Sequence, residues 1–304
     1  MNLPDPLALA AQHARPVLVA GLAAGIVLPG LAGRLAQWLP EMVVILLYLG
    51  ALRLPPKELR MLSRDLPRTI GLLLLGQLGL PLGILGFAWL LDAETTPLVL
   101  GLILLTCAPP IVSSPNIAAI MGLSAPTAMQ LMVLGSLLLP LTVLPVFWLM
   151  PVLGSVEQIL GATGRLMLTI LLAGGGALLT RRLVLTRPSP RLLMRLDGVS
   201  VLALAIFVIA LMASVAESIT QTPVSFAFWL AVAVTANFGL QFAMLQFGRN
   251  PVNGARALVA GNRNLSLFFV ALPPVLTDPL LVFLGCYQLP MLLTPILLAR
   301  AYRQ

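Results

Sequence analysis

Long apolar runs recur along the whole chain, and TIGLLLLGQLGLPLGILGFAWLL over 69–91 and VSVLALAIFVIALMA over 199–213 are two of them. A single water-soluble core cannot hide so many such runs within 304 residues. Each approaches the roughly 20 apolar residues that carry a helix across a bilayer. Charged residues are 9% of the chain, whereas a water-facing surface demands about 25%. No stretch is long and polar enough for a separate soluble domain. The expected fold is an all-α integral membrane protein whose surroundings are the lipid bilayer.

The apolar pattern predicts spans at 15–30, 40–53, 69–91, 96–121, 125–149, 162–180, 196–214, 225–247, 254–272 and 277–299. Net charge is +8, but its placement excludes nucleic acid as a partner. The cations sit in short connections: Arg53, Lys57, Arg60, Arg64 and Arg68 in one, Arg181, Arg182, Arg187, Arg191 and Arg195 in another. That is the positive-inside pattern of a membrane protein. Asp92, Glu94, Glu157, Glu217 and Asp278 fall on the opposite side, which puts both termini in the cytoplasm and makes the protein multi-pass in the cell membrane. The Ala-rich start follows the charge rule as an uncleaved first span rather than a signal peptide. Cys107 and Cys286 lie in apolar segments and are expected as packed thiols, with no metal-ligand spacing around them.

Two predicted spans are interrupted. The fourth carries Pro109, Pro110 and Pro115 within CAPPIVSSPN, and the ninth carries Gly261, Asn262, Arg263 and Asn264 within VAGNRNLSL. Proline removes a helix hydrogen bond and clashes with the preceding turn. Backbone freed in this way is tolerated at membrane depth only where protein or a wet cavity satisfies it. The breaks fall at matching places in two five-span halves, 1–150 and 151–304. Because five is odd, the second half is inverted relative to the first. Inverted halves with discontinuous fourth and ninth helices that cross at mid-membrane are the pattern of a secondary transporter.

Arg263 is the sharpest residue in the chain. A cation at the centre of a span costs at least ~2.5–3.5 kcal/mol, so it must face the protein interior and find partners. No carboxylate falls at a comparable depth. Either backbone carbonyls at the ends of broken helices hold the guanidinium, or it forks onto an anionic substrate. Ser113, Ser114 and Asn116 at the first break, with Asn262 and Asn264 at the second, either cap half-helices or donate to a solute. Gln77, Asn237 and Gln241 are polar residues deep in spans three and eight, with Tyr287 and Gln288 in span ten. No Cys/His cluster, paired intramembrane carboxylates or phosphate-cradling loop suggests an enzyme, and no cofactor is implied.

At these residues the chain resembles the bile acid:sodium symporter family, part of a superfamily with arsenite and auxin efflux carriers. The stretch from LGALRLPPKELR through GLLLLGQLGLP is similar to the family's second span, basic loop and third span, with a matching glutamine at Gln77. CAPPIVSSPN is similar to its first break, with a matching asparagine at Asn116. VTANFGLQF resembles its eighth span, and VAGNRNLSL resembles its second break at Gly261 and Asn264. The resemblance implies ten helices in a panel and a core built from two inverted repeats. It also locates departures. The family's ninth-span glutamate and glutamine ligate sodium, and those positions are Val259 and Arg263 here. The fifth-span serine and threonine fall on Met129 and Val133, and the serine before Asn116 is Pro115. Losing these oxygens argues against sodium coupling. The expectation is a sodium-independent transporter of a small organic anion, a carboxylate, in which Arg263 supplies the charge of the missing cation. Asn116, Asn264, Ser114, Ser113, Asn262, Gln77 and Asn237 would shape the site. The alternatives are a sodium-coupled organic-anion symporter and a membrane receptor that binds a solute without moving it.

Overall fold

The computed structural model describes residues 5–53, 65–186 and 188–303. Lys57, Arg60, Arg64 and Arg187 of the basic connections lie outside them. The described residues are almost entirely helical, and their one β feature is an isolated antiparallel bridge between Pro110 and Arg263. In chain order the helices are α1 (Pro6–Gln12), α2 (Ala14–Val27), α3 (Pro29–Ala36), α4 (Leu39–Leu52), α5 (Leu66–Leu90), α6 (Pro97–Cys107) and α7 (Ser114–Ile120). They continue with α8 (Ala125–Trp148), α9 (Val156–Leu183), α10 (Pro190–Gln221), α11 (Pro223–Leu245), α12 (Pro251–Gly261), α13 (Phe268–Ala271), α14 (Pro274–Leu297) and α15 (Ala299–Arg303).

Short polar–proline signals start many of these helices. Asp5, Thr96, Ser124, Ser189 and Asn250 each accept a backbone N–H of the following turn with their side chains, and a proline follows at the first or second helical position. The side-chain oxygen satisfies a donor that the helix cannot, and proline costs nothing where no N–H is needed.

Among the described residues, six helices (α5, α8, α9, α10, α11 and α14) are long and apolar enough to cross a membrane. The number rises to eight if α1 with α2, bent by 90°, and α3 with α4, bent by 77°, each make one span. The expected fourth and ninth spans are present only as pieces, since α6 and α12 have 11 residues each before their breaks. Outward-facing Leu90, Leu141, Leu172 and Leu179 are exposed, the arrangement that lipid rather than water makes favourable.

The chain divides into two compact units, each drawn from both sequence halves: 1–54 with 169–228, and 55–168 with 229–304. In the first, α10 packs along α1, α2 and α3. The approach is close because glycines face it. A Cβ on Gly25 would lie 2.5 Å from Met212 Cβ and 2.8 Å from the Ile209 carbonyl oxygen. Small residues at a helix contact let backbones pack where lipid offers no hydrophobic drive. In the second unit, α8 packs on α7 and α12 around Leu73, Ala118, Ala128, Leu131, Ala255 and Leu258.

Candidate functional site

Both breaks lie in the second unit and meet side by side. Helix α6 ends because Pro109 and Pro110 follow it, and α12 ends at Gly261. The extended residues beyond each then pair. The N–H of Ile111 donates to the Asn262 carbonyl at 3.0 Å, and the N–H of Asn264 donates to the Pro109 carbonyl at 2.7 Å. Each break thus supplies backbone partners that the other lacks, which answers the satisfaction problem posed by the two interruptions.

Arg263 occupies this junction at 7% exposure. Its Nε donates to the Ala260 carbonyl at 2.8 Å, in the last turn of α12. Its Nη1 donates to the Ala108 carbonyl at 2.9 Å, just past the end of α6. One guanidinium therefore caps the carbonyl ends of two helices, where the backbone dipole favours a cation. Among the described residues the salt bridges are Arg53–Asp197 at 2.6 Å and Arg195–Asp5 at 2.5 Å, and both are remote in sequence from this junction. Among the described residues no carboxylate forms a salt bridge with Arg263. Its Nη2 points toward Gly76, where an added Cβ would lie 3.2 Å away. Gly76 falls in a π-helical turn at Leu75–Gly79 within α5, a local widening often found at functional sites.

A cavity of about 810 Å³ opens beside this group, with Arg263 and Arg256 as its charged lining. Its walls are otherwise apolar and include Gly76, Leu80 and Phe87 of α5, Leu131 of α8, Met244 of α11 and Val259 of α12.

Behind Arg263 a buried polar network holds the end of α12. The Gly261 carbonyl accepts from Asn237 Nδ2 at 2.6 Å and from the Tyr287 hydroxyl. Asn237 Nδ2 also reaches Asn262 Oδ1 at 3.3 Å. Gln241 Nε2 donates to Asn237 Oδ1 at 2.7 Å and to Thr294 Oγ1 at 3.1 Å, while the Tyr302 hydroxyl donates to Gln241 Oε1 at 2.6 Å. Three helices, α11, α14 and α15, are tied to one half-helix end by this chain of bonds.

The residues expected at the site divide into groups. Asn237 and Asn262 belong to the network. Asn264 has its Oδ1 taken by the Ser266 hydroxyl at 2.7 Å. Gln77 is fully buried in the π-helical turn, its Nε2 donating to the Gly135 carbonyl at 3.1 Å and its Oε1 without a partner. Ser114 is fully buried, and its Oγ has no partner either. Ser113 precedes α7 without capping it through its side chain, and Asn116 is exposed on α7. Of the expected sodium-position replacements, Val259 lines the cavity, Met129 is buried and Val133 is half-buried. Arg263 is the one expected substrate-binding residue that faces the cavity.

Sequence reasoning missed Arg256, although its spacing of seven residues from Arg263 would put both on one side of an unbroken ninth-span helix. It also missed Arg165, whose Nε and Nη2 both donate to the Ala271 carbonyl, at 3.0 and 2.7 Å, and so cap the end of α13.

The helices and their outward apolar faces define a multi-pass α-helical membrane protein, of a kind compatible with transport. Comparison with known protein families gives no match, and neither does comparison with curated proteins.

Proposed function

We propose that this protein is a secondary transporter of a small organic anion, a carboxylate, working by alternating access and without sodium. The observation that carries the reading is the Arg263 guanidinium at the junction of two broken helices, with Nη2 facing an apolar cavity of about 810 Å³. A cation held by carbonyl dipoles and lacking a counter-charge attracts an anion, and the surrounding low dielectric strengthens that attraction. The resemblance to the bile acid:sodium symporter family supports the same reading. On it, the two sequence halves are inverted five-helix repeats, the two compact units are panel and core, and both termini are cytoplasmic. Alternating access would expose the junction to each side of the membrane in turn.

Residues at the family's sodium positions do not fit that ion. A hard cation needs several oxygen ligands, and Val259, Met129, Val133 and Pro115 offer no side-chain oxygen, while Arg263 brings positive charge to the position of the family's glutamine. One observation favours the sodium-coupled alternative: Gln77 Oε1 and Ser114 Oγ are buried acceptors without partners. Two oxygens fall short of a coordination shell.

Uptake of labelled carboxylates into proteoliposomes, with and without a sodium gradient, tests the proposal. Uptake that persists without sodium, and falls at least ~10-fold in Arg263→Gln, is the expected result. A strict sodium requirement overturns it, and binding without uptake turns the reading into that of a receptor.

A further inference from the structure

The cavity beside Arg263 contains a second cation. Arg256 lies seven residues earlier, and both side chains line the same space. Five helical steps and two extended ones lead from one to the other along the chain, so their Cα atoms stand roughly 10–14 Å apart. The two groups differ in setting. Arg263 is almost wholly buried and spends Nε and Nη1 on backbone carbonyls. Arg256 is half-buried, and Nη1 donates to Asn253 Oδ1 at 2.8 Å, which is a neutral acceptor. The charged groups that act on Arg256 are Asp65 and Arg68, an acid and a base whose charges oppose each other. Both are exposed, and neither lines the cavity. Two guanidinium groups therefore share an apolar chamber that no carboxylate lines among the described residues.

From this geometry we infer that the preferred substrate is a dianion: an elongated molecule with an anionic group at each end and an apolar spacer between. The inference rests on the anion-transporter reading above and narrows its substrate class. The physical reason is desolvation. A monoanion that pairs with Arg263 lays its apolar tail toward Arg256, stripping water from a cation without replacing the lost hydrogen bonds. A matched dianion pairs both guanidinium groups and seats its spacer against Leu80, Phe87 and Met244. A compact dianion such as sulfate satisfies neither condition, because it cannot reach both cations and leaves most of the 810 Å³ unfilled.

The test is binding to the purified full-length protein, followed by thermal shift, of a homologous series of α,ω-dicarboxylates. Each is compared with the monocarboxylate of the same carbon number. The expected result is an optimum chain length at which the dicarboxylate binds roughly tenfold or more tightly than its partner, the scale of one added charge-assisted contact. In Arg256→Gln that ratio collapses toward one, and in Arg256→Lys part of it returns. Equal binding of the two series by the native protein at every length overturns the dianion proposal while leaving the anion-transporter reading intact, and this comparison needs no variant. A ratio that survives Arg256→Gln also overturns it. If neither series binds, the anion reading itself falls and takes this proposal with it.

Discussion

Arg263 reaches across 155 positions of sequence to the carbonyl of Ala108, and Pro110 and Arg263 form the single β-bridge among the described residues. Two helix endings from opposite halves of the chain are thereby joined through one guanidinium and two backbone hydrogen bonds. The same side chain keeps one nitrogen, Nη2, turned away from these contacts and toward Gly76 and the cavity. On the proposed function, a structural and a binding role are divided among the atoms of one residue.

That division predicts an uneven response to Arg263→Gln. The carbonyls of Ala108 and Ala260 lose charged donors, at roughly 1–3 kcal/mol each if left unpaired. Removing an uncompensated cation from an apolar setting returns about 2.5–3.5 kcal/mol. The two effects largely offset, so the net stability change is about 1 kcal/mol at the middle of these ranges and no more than about 3.5 kcal/mol, read as a modest shift in thermal unfolding in detergent. Anion uptake falls at least ~10-fold, because nothing replaces Nη2. Unfolding without a separable loss of binding would make the residue a structural cap alone.

Much of this arrangement is legible in the sequence, and the reasons are local. Proline pairs and a Gly-Asn-Arg-Asn run in apolar stretches announce broken helices whatever their neighbours. A lone arginine without a carboxylate at its depth announces a need for carbonyls, and Ala108 and Ala260 supply them. The side chains that meet the cavity are not legible in this way. Asn116 matched a motif yet stands exposed on a short helix, and Asn237 spends its amide holding the end of α12 while Asn262 accepts from it with Oδ1 and leaves its own buried Nδ2 unpaired. Helix rotation decides such outcomes, and it is set by packing between distant segments. Arg256 shows the converse: its spacing from Arg263 was visible, but its meaning needed the cavity wall that α5 provides.

Gly76 tests the free nitrogen without touching the arginine. A methyl group there would come within 3.2 Å of Nη2 and press it back toward the backbone. Gly76→Ala is expected to weaken carboxylate binding several-fold while leaving the melting temperature within a few degrees of native. A helix gains about 0.5–1 kcal/mol from this exchange, which offsets the tight contact. Unaltered binding affinity would show that Nη2 is not the anion-binding atom.

The pair between Asp5 and Arg195 gives the first unit a pH dependence. The Arg195 guanidinium, at 2.5 Å, is the main reason that the Asp5 carboxyl titrates below its ordinary 3.8, and the N–H of Leu7 adds to it. A carboxyl with a depressed folded-state pKa favours folding above its unfolded value, and that contribution disappears as pH falls through the folded value. The native protein should therefore melt higher than Asp5→Asn at neutral pH, with the gap narrowing once pH drops below about 3.8. The pair is exposed, so high salt should shrink the same gap. A gap that is independent of both pH and salt would assign Asp5 only its capping role at α1.

Gly261 is the position where added bulk should do most damage. Its Cβ would meet the Asn237 carbonyl oxygen and lie 2.5 Å from Gln241 Cγ. Neither neighbour is able to retreat. Asn237 is held to the Gly261 carbonyl and to Gln241, and Gln241 is held in turn by Thr294 and Tyr302. Moving α11 away would break these bonds in a buried setting, where unpaired polar groups are costly. Gly261→Ala is therefore expected to cost about 3 kcal/mol or more, the scale reached when overpacking and a broken buried network combine. Gly174→Ala is the control, since nothing lies within 4 Å of a Cβ there, and helix propensity predicts a slight gain. Measured side by side by thermal unfolding, Gly261→Ala should melt well below native and Gly174→Ala at or above it. Equal melting of the two would mean that the network around the end of α12 yields easily and does not hold that helix end in place.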